Sequence, residues 1–299
     1  MTSVADFIKI PKCDFHNNLD LGMRYPSYIA WAGFYMPDFP EDGSIVKKDL
    51  RSQIKEYTRI RTGSEGDIHK LLSLSLSEAS ADNITEIYGT INFSLLNACD
   101  TPENFVSAID KALKAYSDKI RINTVLAADT DFLNENSIAL CSSLLGSGFF
   151  KGVYLYGKNL TASPQKYAAF IKEAKDHGLH SGINAETAKS SSDFLNLLYT
   201  FSPDVILQGD YAAKDKEILN CMKKNGVGAV ITPNPDEANT VCSFNEKAVF
   251  LRNFLEAGVS AKIGTESILL FNKSISQFAA ELANTKIFTT DELISIMKP

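Results

Sequence analysis

Short apolar runs alternating with amphipathic stretches of helical length constrain this chain more than any other feature. Runs of strand character are predicted at Ile84–Phe93, Ile120–Ala127, Gly152–Tyr156, Ser181–Ala185, Asp204–Gly209, Gly228–Thr232 and Ser260–Gly264. An eighth comes first, in Ile10–Asp20, where an alternating run ends at His16 and breaks into polar residues. Between the runs, Thr101–Lys119 places Phe105, Ile109, Leu113 and Tyr116 three and four apart, the spacing of one helix face. Asn136–Leu145, Pro164–His177, Ser191–Phe201, Asp215–Lys224 and Asn245–Ala257 follow the same rule, and Gly178, Gly226 and Gly258 mark helix ends. Strands that alternate with helices pair in parallel, and eight such units predict closure into a (β/α)8 TIM barrel. The length of 299 residues suits one such barrel with an insertion, so residues 1–299 are read as a single domain.

The insertion is predicted after the first strand, over about residues 22–83. It opens with Tyr25, Tyr28, Trp31, Phe34 and Tyr35, is broken by Pro37 and Pro40, and continues with helical segments near Lys47–Arg59 and Asp67–Ala79. Some sixty residues are too many for a plain loop, so the segment should carry structure of its own over the barrel mouth. Its aromatics read as the packing of that cap.

In a parallel barrel, chemistry sits where strands end and open into loops. There the chain resembles the adenosine deaminase family. Pro11-Lys12-Cys13-Asp14-Phe15-His16-Asn17-Asn18-Leu19-Asp20 is similar to that family's Pro-Lys-x-Glu-Leu-His-x-His-Leu-Asp-Gly. Gly152-Val153-Tyr154-Leu155-Tyr156-Gly157 resembles Gly-Val-Asp-Leu-x-Gly, and Ile183-Asn184-Ala185-Glu186-Thr187 stands where the family ends strand five in His-Ala-Gly-Glu. Gln208-Gly209-Asp210-Tyr211 resembles the family's Gly-His-Gly-Tyr region, and Ile231-Thr232-Pro233-Asn234 its Cys-Pro-x-Ser. Gly264-Thr265-Glu266-Ser267 resembles Asn-Thr-Asp-Asp.

The resemblance implies a metal held at His16, Asn18, Asn184 and Glu266, but only His16 keeps the family's residue. Amide oxygens are poor zinc ligands, and Glu266 carries one more methylene than aspartate. The proton shuttle is altered too: Gln208 takes the place of a histidine, and Thr187 that of a glutamic acid. Hydrolytic deamination needs a metal-activated water and a tuned acid–base group, so the expectation is a protein without the zinc site and without a cofactor. The replacements stay polar, which suits a small polar ligand. The expected ligand-binding residues are His16, Asn18, Asp20, Asn184, Gln208 and Ser267. The expected ligand is a purine nucleoside or a similar metabolite, bound by a non-deaminating relative.

Two other readings remain open. Glu186, Glu266 and Asp210 supply carboxylates for acid–base catalysis on a nucleoside-like substrate without metal, as a hydrolase or lyase. Alternatively, His16 and Glu266 hold a weak metal site in a divergent adenosine or adenine deaminase. His69, His177 and His180 read as structural, and Gly146-Ser147-Gly148 as a turn, since no Gly-Lys-Ser/Thr follows it.

Composition excludes several partners. With a net charge of -6 and no basic cluster, a nucleic-acid groove is not expected. No apolar run reaches the roughly 18 residues of a membrane helix, and Met1–Phe7 lack the pattern of a signal peptide. Cys13, Cys99, Cys141, Cys221 and Cys242 are odd in number and widely spaced, against a disulfide framework or a Cys-built zinc site. A reducing, cytoplasmic setting is the expectation; the oligomeric state is not legible.

Overall fold

The computed structural model describes residues 2–34, 39–40, 44–235 and 243–299. Tyr35, Pro37 and Cys242 lie outside the described residues. Eight parallel strands form one sheet in the order of the sequence: β1 (Lys12–Asn18), β2 (Ile84–Asn92), β3 (Arg121–Asp129), β4 (Gly152–Tyr156), β5 (His180–Asn184), β6 (Val205–Leu207), β7 (Gly228–Ile231) and β8 (Ala261–Ile263). The sheet is a nearly closed (β/α)8 barrel. Val, Ile, Leu and Tyr fill β4 and β6, as burial of a pleated surface on both faces requires, whereas β1 is largely polar.

The residues fall into two compact units. The first comprises residues 1–122, 232–245 and 264–299; the second comprises 123–231 and 246–263. In the first, β1 carries a bridge to the segment after β8, pairing Asn17 with Glu266. The Glu266 amide donates to the His16 carbonyl at 2.7 Å, and the Asn18 amide donates to the Glu266 carbonyl at 2.7 Å. Gly264 makes this seam: a Cβ there would lie 2.7 Å from the His16 amide nitrogen and 2.9 Å from its carbonyl oxygen. No side chain fits between main chains that close.

At its other end β1 is held by a buried lysine. Lys12 donates from Nζ to the carbonyls of Phe7 (3.1 Å) and Ile10 (3.0 Å), and to that of Asp82. This ties the short helix Val4–Ile8 and the end of the helix Glu65–Ala81 to the strand.

After β1 the chain forms helices at Tyr25–Ala32, Lys48–Arg61 and Glu65–Ala81. Ser64 caps the last of these by accepting from the Asp67 amide at 3.2 Å. Tyr28, Trp31, Val46, Leu50 and Ile54 form one apolar cluster with Leu269, Leu270 and Phe271, which follow β8. The aromatics of this stretch are therefore largely core, and Tyr28 satisfies its buried hydroxyl on Thr58 at 3.1 Å.

In the second unit, β4 through β8 pair in register, for instance Leu155 with Ile183 and Leu207 with Val230. Helices Gln165–Asp176, Ser191–Phe201 and Lys216–Asn225 alternate with these strands. Asp215 caps the last by accepting from Glu217 (2.8 Å) and Ile218 (3.2 Å), and Gly226 closes it at φ +68°.

Candidate functional site

The first unit gathers a buried polar cluster where β1 and β8 end. Asp14 lies on β1 and accepts four hydrogen bonds: from the Thr265 amide (3.0 Å) and hydroxyl (2.6 Å), from Asn17 Nδ2 (3.0 Å) and from the His16 amide (3.2 Å). Burial nevertheless pushes its carboxyl up to about 6, because desolvation outweighs the hydrogen bonds. His16 is buried beside it, and desolvation pushes its imidazole down to about 3, so it is neutral at physiological pH. Asp20, on the turn after β1, is pushed up to about 6, chiefly by burial, with Lys55 opposing.

Glu266 stands directly after β8, buried, with its main chain in the left-handed region at φ +57°. A non-glycine residue there costs about 1 kcal/mol or more, and such strain concentrates at functional sites. The Thr232 hydroxyl, at the end of β7, donates to Glu266 Oε2 at 2.8 Å and lies 3.2 Å from Asn234 Oδ1. All three residues are buried. Ser267, expected to meet a ligand, is committed elsewhere. It caps the helix Ile268–Phe271 by accepting from the Leu270 amide (3.2 Å), and it donates to the Leu21 carbonyl (3.1 Å). Asn18 has its amide oxygen on the Thr90 hydroxyl at 2.6 Å.

In the second unit, Asn184 ends β5 and its amide oxygen accepts from the Glu186 amide at 2.9 Å. Glu186 itself is exposed. Thr187 shares a hydroxyl hydrogen bond with Thr161 at 2.5 Å. Gln208, just after β6, is half-buried with φ +52°, a second left-handed residue at a strand end. Asp210 forms an ion pair with Lys247, a buried lysine of the helix Phe244–Glu256.

Thr232, Asn234, Asp14 and Lys247 were not expected as site residues. The signal for Thr232 lay in Thr232-Pro233-Asn234, a hydroxyl fixed before proline at a strand end. Lys247 gave none, because a lysine in an amphipathic helix reads as solvated until its burial is known. His69 and His177 are exposed, and His180 opens β5 at the end opposite these residues.

The donor set can be compared with the metal cage that the resemblance implies. Of the four positions, His16 and Glu266 carry groups that ligate divalent cations, while the amide oxygens of Asn18 and Asn184 are engaged as described. Among the described residues, no three of His, Cys, Asp or Glu come together as a metal-holding group. These residues do not reproduce a cage of three histidines and an aspartate.

Comparisons with known proteins follow the same lines. No family model matches the chain. It is 22% identical over 292 residues to a protein of Treponema pallidum (strain Nichols) provisionally named adenosine/adenine deaminase, covering 97% of this chain and 96% of that one. It is 23% identical over 313 residues to an adenosine deaminase of Clostridium kluyveri, covering 97% and 88%. Among solved structures, the N6-methyl-AMP deaminase of Arabidopsis thaliana superposes with a TM-score of 0.81 at 14% identity, over 99% of this chain and 92% of that one. An ADAL protein solved with IMP superposes at 0.80 and 13% identity, over 99% and 92%. A zinc-bound amidohydrolase of Burkholderia ambifaria superposes at 0.72 and 12% identity, over 99% and 91%. The last of these corrects one expectation. The absence of a cofactor was inferred from altered ligands, yet the neighbours are amidohydrolases and deaminases, one with zinc bound, a metal-dependent group. Altered first ligands do not by themselves take a chain out of such a group, since water or substrate atoms can complete a coordination shell. In sequence the chain is similar to proteins named adenosine deaminases, and it shares its fold with solved amidohydrolases and deaminases.

Proposed function

We propose that this protein binds a purine nucleoside or nucleotide at its strand ends, with His16 and Glu266 of the first unit as contacts, and that it does not hydrolyse the amine. The observation that carries the reading is the buried polar cluster around Glu266. Its carboxylate is held by a hydroxyl, and its main chain is held in a strained, left-handed conformation against β1. A neutral imidazole at His16 supplies one donor and one acceptor, and a carboxylate supplies acceptors. Together they match the mixed donor and acceptor edge of a purine. The relatives named adenosine deaminases, aligned over nearly the whole chain, and the ADAL protein solved with IMP support this ligand class.

The non-deaminating half of the proposal rests on the second unit. Gln208 does not titrate, and the Thr187 hydroxyl is paired with Thr161. Proton transfer to a leaving amine needs a group of tuned pKa within reach, and neither residue is one.

Calorimetric titration of the full chain with adenosine and with IMP, each with and without added zinc, tests both halves beside an absorbance assay for deamination. Binding of either purine without turnover is expected. No binding under any condition overturns the first half, and turnover with zinc overturns the second.

A further inference from the structure

The Thr232 hydroxyl has one proton and two oxygen neighbours, Glu266 Oε2 at 2.8 Å and Asn234 Oδ1 at 3.2 Å. The shorter bond, to a carboxylate, takes that proton, because an ionised acceptor makes the stronger hydrogen bond. Asn234 Oδ1 is the second, weaker acceptor of the same hydroxyl, so a carboxylate in its place would compete with Glu266 for the proton. The Thr232 hydroxyl is thus held between Glu266 Oε2 and Asn234 Oδ1, closer to the carboxylate.

The local sequence builds this arrangement. Thr232 is β-branched and stiff at χ1, it directly follows β7, and Pro233 holds it in extended backbone. Thr232 is 1% exposed, so its hydroxyl is shielded from bulk water. The Glu266 main chain is fixed by two hydrogen bonds to β1.

We propose that Thr232, with Asn234 behind it, is the positioning residue that aims the Glu266 carboxylate at the ligand. This rests on the purine-binding reading and names the device that sets its geometry. Neither residue touches the ligand. A Thr232→Ser variant keeps the hydroxyl, Thr232→Val removes it at nearly constant volume, and Asn234→Asp puts a second carboxylate in front of it.

The test is calorimetric titration of the wild-type chain and these three variants with adenosine and IMP, with melting temperatures measured alongside. Thr232→Val and Asn234→Asp are expected to weaken binding by about tenfold, the scale of one lost charge-assisted hydrogen bond. Thr232→Ser should bind within about twofold of wild type on the same scale. A merely structural threonine would lower the melting temperature and leave the affinity of the folded fraction unchanged, which overturns the inference. Should Thr232→Val not fold, Asn234→Asp decides, since it changes no volume. A wild-type chain that binds neither purine overturns the underlying reading, and the positioning role falls with it. Wild-type binding with equal affinity in Thr232→Val overturns the positioning role alone.

Discussion

Gln208 and Glu266 hold left-handed main-chain conformations at φ +52° and +57°. At Gln208 the strain is separable from the buried network around Glu266. Gln208→Gly should raise the unfolding free energy by about 0.5–1 kcal/mol, the relieved strain less the entropy glycine adds to the unfolded chain. Urea unfolding measures it, and a loss of stability would show that the Gln208 side chain supports the fold. The buried pair Asp14 and His16 gives a pH prediction. His16 is depressed to about 3, so the unfolded chain binds its proton first, and stability is lost as pH falls from 6.5 toward 3. Asp14 is raised to about 6, so its contribution is present below 3.8 and lost as pH rises through about 6. The two oppose each other on acidification. In Asp14→Asn only the histidine effect remains of the pair, and the fall in urea midpoint between pH 6.5 and 4.5 should be steeper than in wild type. Little of this was legible in the sequence. The positions of His16 and Glu266 follow from strand-end motifs, but their strain, burial and hydroxyl partner arise from a main-chain approach between residues some 250 apart.

At the level of elements, the alternation of apolar runs and amphipathic stretches predicted the barrel well. The runs Gly152–Tyr156 and Ser191–Phe201 match their strand and helix. The ends drift where strands are shortest: β6 and β8 are three residues each, whereas the sequence pattern extends them to Gly209 and Gly264. The short helix Val4–Ile8 and the helices Ile275–Asn284 and Thr290–Ile296 were not anticipated, although Ser274 and Thr289 each open one with a capping box. Two substitutions test what holds the ends of β1. Lys12→Met keeps the stem but strips the donors from the Phe7, Ile10 and Asp82 carbonyls, and should cost about 3 kcal/mol in urea unfolding. Gly264→Ala pushes a methyl into the His16 main chain and should cost about 2 kcal/mol or more. Wild-type stability in either variant would mean that the strand is anchored elsewhere.

Over the whole molecule, a net charge of -6 gives polyanions no electrostatic purchase. The chain should pass through heparin or DNA resin at low salt without retention, and retention would point to a basic face that composition conceals. No helix among the described residues is long and apolar enough to cross a membrane. The seam between β1 and Glu266 has a further consequence, in the order of synthesis. The first unit takes residues 1–122 from the start of the chain and 264–299 from its end. While a ribosome is still making the middle, β1 has its neighbour β2 on one side only. Its other edge, with Asp14 lacking its Thr265 donors and His16 its partner strand, waits for the last stretch of polypeptide to emerge. The nascent chain therefore spends most of its translation with an open strand edge beside two ionisable groups that only the finished barrel buries. It is in that interval, more than in the finished barrel, that a chaperone would have reason to hold it.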